Sequence, residues 1–179
     1  GRPVFLLADD DAHDIADPYE IQRICTYINA KENKGDQLVK ALKEGKAFGA
    51  EIYMGEEETF AQKASHAREI PVVESVEMRC DTLHVAVSEK PLKITFIGQN
   101  GEIRKVVRLQ QQAWYKFTPE DTYIRTEIQF LKYHQYPHVG PGTLFYLNPV
   151  FRYNGEKPHN FLQAEINLPR TWIQRILGL

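Results

Sequence analysis

The sequence predicts an α+β fold: a short N-terminal strand-helix-helix unit followed by an antiparallel β-sandwich. Three observations predict it. The apolar run Val4-Phe5-Leu6-Leu7-Ala8 stops at a cluster of carboxylates, as a short buried strand would. Between Pro18 and Gly45, two stretches repeat apolar residues at the three- and four-residue spacing of amphipathic helices. From Pro71 the apolar period changes to two, broken at short intervals by turn residues. A chain of 179 residues holds one large domain or two small ones. The expected division is 1–54, a connection at 55–70, and 71–179.

The first strand, 4–8, leads into Asp9-Asp10-Asp11-Ala12-His13-Asp14. Four carboxylates this close repel one another, and a divalent metal among them would relieve that. In an extended chain, residues two apart point the same way, so Asp11 and His13 share a side. A hard oxygen beside an imidazole suits Zn, Mn or Fe better than Ca or Mg. At most one of Asp9, Asp10 and Asp14 is expected to reach the same ion. The plainer reading is a solvated turn that caps a helix.

Asp17 and Pro18 are a suitable cap and first turn for a helix carrying Ile21, Ile24, Cys25 and Ile28. The polar stretch from Asn29 to Gly35 ends it. Asp36 then caps a second helix with Leu38, Val39, Ala41 and Leu42 on one side and Gly45 at its C-terminal end. Glu51 to Met54 reads as a short strand, and Gly55 to Glu69 as irregular chain with some helix. Val72, Val76, Met78 and Cys80 then alternate with polar residues up to an Asp81-Thr82 turn. Leu83, Val85 and Val87 follow, then Leu92, Ile94 and Phe96. Asn100-Gly101 supplies the positive φ angles of a hairpin turn. Strands over 103–109, 113–117 and 123–130 complete the series. In the tail, 169–177 reads as a short helix that buries Trp172 and Ile176 against the sandwich.

Composition excludes several function classes. The apolar fraction of 42% is ample for a core, and the net charge of −2 gives no electrostatic case for nucleic acid. No apolar run approaches the length of a membrane span. Cys25 and Cys80 form no disulfide framework. No nucleophile elbow and no Gly-rich phosphate loop occurs. His134 and His138 have the spacing of a helical metal pair, but Pro137 removes the helix that would align them. His84 alternates with apolar neighbours and is expected to point to solvent or to the other sheet. Arg125 and Glu127 share a strand face, where a structural pair is expected. His66 and His159 have no informative context.

Three stretches resemble one family in the same order. Ala8-Asp9-Asp10-Asp11-Ala12-His13 is similar to the late Asp-x-His motif of the polymerase-and-histidinol-phosphatase (PHP) metallohydrolases. Gln37 to Phe48 resembles the helix and turn that close their barrel. Tyr123-x-Arg125-x-Glu127, followed by Tyr146-Leu147-Asn148-Pro149, resembles a pair found in PHP proteins with a C-terminal β-sandwich. The resemblance implies that Asp11 and His13 are metal ligands. It also implies that residues 1–54 are the terminal segment of a PHP-like barrel. The family's early His-x-His is missing: none of the six histidines lies in one. The chain is therefore expected to be the C-terminal part of a longer protein, as its opening Gly1-Arg2-Pro3 directly before a strand also suggests, and any targeting segment would lie upstream. Its partner would be the rest of that barrel, and its metal Zn, Mn or Fe, held weakly or not at all by this chain alone. Its substrate would be a small phosphoester or related ester. The alternative is a non-catalytic β-sandwich serving as a binding or structural module.

Overall fold

The structure, a computed structural model, describes residues 4–14, 16–18, 20–21, 23–52, 58–131 and 142–152. His134, His138, His159, Trp172 and Ile176, singled out above, lie outside the described residues. The described elements are, in order, β1 (Ile24–Ile28), α1 (Gly35–Lys43), β2 (Ala47–Glu51), α2 (Phe60–His66), β3 (Val73–Arg79) and β4 (Thr82–Val87). They continue with β5 (Lys93–Ile97), a 3-10 turn (Gln99–Gly101), β6 (Ile103–Arg108), β7 (Gln112–Lys116), β8 (Tyr123–Gln129), β9 (Leu144–Leu147) and β10 (Val150–Phe151).

The strands form two antiparallel sheets, and the α+β class with a sandwich holds. The larger sheet runs β1-β2-β9-β8-β5-β6, with β10 also on β8; the smaller runs β3-β4-β7. Period-two burial is clean where the sequence alternates. Leu83, Val85 and Val87 on β4, and Ala113 and Tyr115 on β7, face Ile94, Phe96, Ile124, Ile128 and Phe145 of the larger sheet. Phe96 stacks on Tyr115 across the two sheets, with ring centroids 5.8 Å apart. Each such aliphatic or aromatic side chain taken from water contributes about 1.5–3 kcal/mol. His84 and Trp114 sit opposite each other on the outer face of the smaller sheet.

The N-terminal third differs from its expected layout. Residues 4–8 form no strand: none of the described strands pairs with them, and Val4 (77%) and Leu7 (65%) are exposed. The helix expected from Pro18 is a turn followed by β1. Its Ile24-Cys25-Thr26-Tyr27-Ile28 run is rich in β-branched and aromatic residues, and antiparallel pairing with β2 decides the conformation. The next helix is found, but it starts at Gly35, with Lys34 as N-cap and Asp36 inside the first turn. Gly45, at φ +71°, ends it as expected. Of the strand expected at 51–54, Glu51 ends β2, and Tyr53 and Met54 lie outside the described residues. The β3–β4 turn falls on Cys80-Asp81, with Cys80 at φ +54°. Asn100 and Gly101 do take positive φ, within a 3-10 turn.

Strands β1 and β2 belong to the same larger sheet as β5, β6, β8 and β9, because Phe48 to Glu51 of β2 pair with Leu147 to Leu144 of β9. An aromatic chain carries the same junction into the core: Tyr27 on Phe48 at 5.2 Å, Phe48 on Phe145 at 5.0 Å, Phe145 on Phe130 at 5.3 Å. Ile21, Ile24, Leu38 and Leu42 are all half-buried.

Candidate functional site

The outer face of the larger sheet carries the N-terminal segment. Gly49 on β2 makes this possible: a Cβ there would sit 2.7 Å from Leu6 Cδ2 and 2.9 Å from Ala8 Cβ. The segment is stitched down by side chains. Asn148 Oδ1 accepts from Leu6 N–H at 2.6 Å, and the Asn148 amide donates to Ala47 O at 2.8 Å and Gly45 O at 3.2 Å. Thr26 on β1 accepts from Ala8 N–H at 2.7 Å and donates back to Ala8 O at 2.8 Å. Residues 6 and 8 are thereby fixed, and the acidic stretch leaves the sheet beside the start of β1.

From there the carboxylates serve the backbone. Asp10 Oδ1 accepts from Arg23 N–H at 2.7 Å and also from Ile24 N–H, tying the far end of the loop to its beginning. Asp11 takes φ +55°, the left-handed region that Asp tolerates better than most residues. Glu20 Oε2 accepts from His13 N–H at 2.6 Å and Asp14 N–H at 2.7 Å. Those backbone donors, Asp14 first and then His13, hold the Glu20 carboxyl below its ordinary value. Asp14 Oδ1 accepts from Ala16 N–H at 2.8 Å. Lys63, on α2, donates to the carbonyls of Pro18 and, at 2.7 Å, Ile21. Burial pushes the Lys63 ammonium below its usual value, and the Asp10 and Glu58 carboxylates oppose that.

Asp11 and His13 stand two residues apart on this braced loop, both exposed. Asp10 and Asp14, offered by the sequence as auxiliary ligands, accept from backbone N–H groups. Among the described residues no group of three or more His, Cys, Asp or Glu side chains is arranged to hold a metal ion. Neither Asp11 nor His13 belongs to such a group, and the left-handed backbone of Asp11 departs from the extended chain in which the two were expected to share a side.

Strand β8 contributes to the same outer face. Arg125 and Glu127 form the expected ion pair. Tyr146 on β9 donates to Glu51 Oε2 at 2.9 Å. Between this face and the N-terminal segment is a groove of about 360 Å³, lined in part by Phe5, Leu6, Tyr123, Arg125, Tyr146 and Phe151.

Two charged arrangements escaped the sequence reading. One is Lys63 itself, for which nothing local signals burial, although Thr59-x-x-Gln62 just before it is a readable capping box. His66, also on α2, lies 3.1 Å from the Glu58 carboxylate. The other is Asp121, whose side chain is fully buried. Its Oδ2 accepts from Tyr115 OH at 2.8 Å, Thr118 N–H at 2.7 Å and Thr118 Oγ1 at 2.9 Å, and Arg104 Nε lies 3.3 Å from Oδ1. Burial, reinforced by Asp121, pushes Tyr115 up to about 12. Gly98 leaves room for the guanidinium, since a Cβ there would sit 2.8 Å from Arg104 Nε. This cluster fixes the turn before β8 and is structural. Among the described residues no helix is long and apolar enough to cross a membrane. In comparisons with known proteins, no family model, no curated protein and no solved structure matches the chain.

Proposed function

We propose that this chain is the C-terminal portion of a PHP-type metal-dependent hydrolase, with a small phosphoester or related ester as substrate. Asp11 and His13 are two of its metal ligands, residues 1–54 belong to the barrel segment, and the sandwich is accessory. One observation supports the reading above the others. The loop backbone is held by Asp10, Glu20 and Lys63, while the side chains of Asp11 and His13 stay exposed. Ligands need such preorganisation, because a loose loop loses affinity to its own entropy. One carboxylate and one imidazole fit half of a four-coordinate zinc-like site, and the remaining protein donors would come from the rest of the barrel. When bound, the metal supplies Lewis acidity for hydrolysis. This chain's own part is to hold two ligands in place.

Isothermal titration with Zn²⁺ or Mn²⁺ tests the assignment. Weak binding is expected, lost in Asp11→Ala and in His13→Ala. Sub-micromolar binding that survives His13→Ala would show that other residues are the ligands. Robust phosphatase turnover by this chain alone would remove the view that it is an incomplete portion. The reading as a non-catalytic module has its own support: two of the four carboxylates, Asp10 and Asp14, already have structural duties, so the acidic stretch does not require a metal to account for it.

A further inference from the structure

Helix α2 docks in an unusual way. Short helices attach through an apolar stripe, yet in α2 Phe60, Ala61, Ala64 and Ser65 are exposed, His66 is half-buried, and Lys63 is the buried residue at 1% exposure. Lysine is almost never fully buried without partners. Its partners here are two carbonyl oxygens, of Pro18 and Ile21, in the turn that precedes β1. The Asp10 carboxylate contributes favourably to the ammonium charge. Burying an ammonium costs several kcal/mol, and an apolar residue of similar volume is often as good or better for stability. A lysine at this position therefore acts on the conformation of the turn more than on the energy of the core.

We propose that Lys63 is the positioning residue of the acidic loop: its ammonium latches the Pro18 and Ile21 carbonyls to α2 and so fixes residues 10–24. The chain of contacts is short. Lys63 holds the turn at 18–21, Glu20 within that turn holds the backbone of His13 and Asp14, and Asp10 closes the loop on Arg23 and Ile24. Release of the latch frees Glu20 and, through it, the two exposed side chains of the proposed metal site. The loop assignment stands on these contacts alone; its consequence for metal binding rests on the reading of Asp11 and His13 as ligands.

The experiment is hydrogen exchange of the full chain, wild type against Lys63→Met and Lys63→Arg, with zinc titration of each. Methionine keeps the aliphatic stem and removes the donors. Exchange at His13, Asp14, Arg23 and Ile24 is expected to rise about tenfold or more, the equivalent of one lost hydrogen bond to a charged group. Protection in β5 and β8 should be unchanged. Arginine restores charge and donors and should recover most of the protection. Zinc affinity should fall in Lys63→Met by at least about threefold, since the ligands then sample more conformations. A wild type that binds no zinc would sink the metal assignment while the exchange data still decide the latch. Unaltered loop exchange in Lys63→Met would overturn the latch. So would a uniform rise that includes β5 and β8, or failure of both variants to fold, because Lys63 would then support the whole structure and not the loop.

Discussion

Asn148→Ala should loosen the N-terminal segment and destabilise the sheet together. The side chain makes three hydrogen bonds to three places: Leu6 N–H at 2.6 Å, Ala47 O at 2.8 Å and Gly45 O at 3.2 Å. A net worth of about 1 kcal/mol each sets an upper figure near 3 kcal/mol. The site is half-buried, so water replaces part of that, and about 2 kcal/mol is the expected loss. For a chain of this size that lowers Tm by about 4–8 °C. Urea unfolding followed by far-UV circular dichroism measures it. Asn148→Asp is the sharper test because it preserves shape. Its carboxylate still accepts from Leu6 N–H but turns an acceptor toward two carbonyl oxygens. It should cost at least as much as alanine at neutral pH and recover as the pH falls and the new carboxyl protonates. An alanine variant within about 0.5 kcal/mol of wild type, below the usual worth of even one such bond, would refute the reasoning, as would an aspartate variant of wild-type stability at neutral pH.

Gly49→Ala places a methyl against Leu6 and Ala8. Leu6 can swing aside but the Ala8 Cβ cannot, so the segment must lift, at about 1–3 kcal/mol; faster proteolysis within residues 4–14 and a lower urea midpoint are expected, and an unchanged cleavage rate would count against the contact. Alkaline stability should depend on Tyr115 and Tyr27, both raised from 10 to about 12, chiefly by burial. A raised folded value means that the stabilisation is complete below the unfolded value and is lost as pH rises through the folded one. Each tyrosine forfeits about 2–3 kcal/mol across that window. Lys63, lowered from 10.5, works in the opposite sense below its unfolded value, so the comparison must be between single variants. Tyr115→Phe should therefore flatten the fall in urea midpoint between pH 9 and 12, and identical slopes for variant and wild type would rule out the assignment.

The sandwich was legible because its burial is decided locally. On β4 and β8 the residues that alternate in the sequence alternate between core and surface, and Leu83, Val85, Val87, Ile124 and Ile128 are all buried. β1 was not legible, for a definite reason. Ile21, Ile24, Cys25 and Ile28 satisfy helical spacing as well as they satisfy a strand after a turn. The choice is made by pairing with Ala47 to Glu51, which no local pattern reveals. At the candidate site the sequence supplied the residue types but not their duties. Asp9 to Asp14 read as one acidic cluster, whereas Asp10 faces backbone donors contributed by residues 23 and 24. Lys63 lies forty-two residues from Ile21 and forty-five from Pro18, so its role exists only in the folded chain.

Three stretches far apart in the sequence meet at a single side chain. Asn148, from the Asn-Pro that follows β9, accepts from Leu6, in the run that precedes the acidic loop. It also donates to Gly45, the glycine that ends α1. A further contact on the same outer face reinforces this junction: Tyr146 with Glu51 across β9 and β2. Residues spaced a hundred positions apart thus act as one brace, and what they brace is the path of residues 6 to 10. That path determines where the acidic loop leaves the sheet. Asn148, from the sandwich, therefore constrains the path into the loop that carries Asp11 and His13.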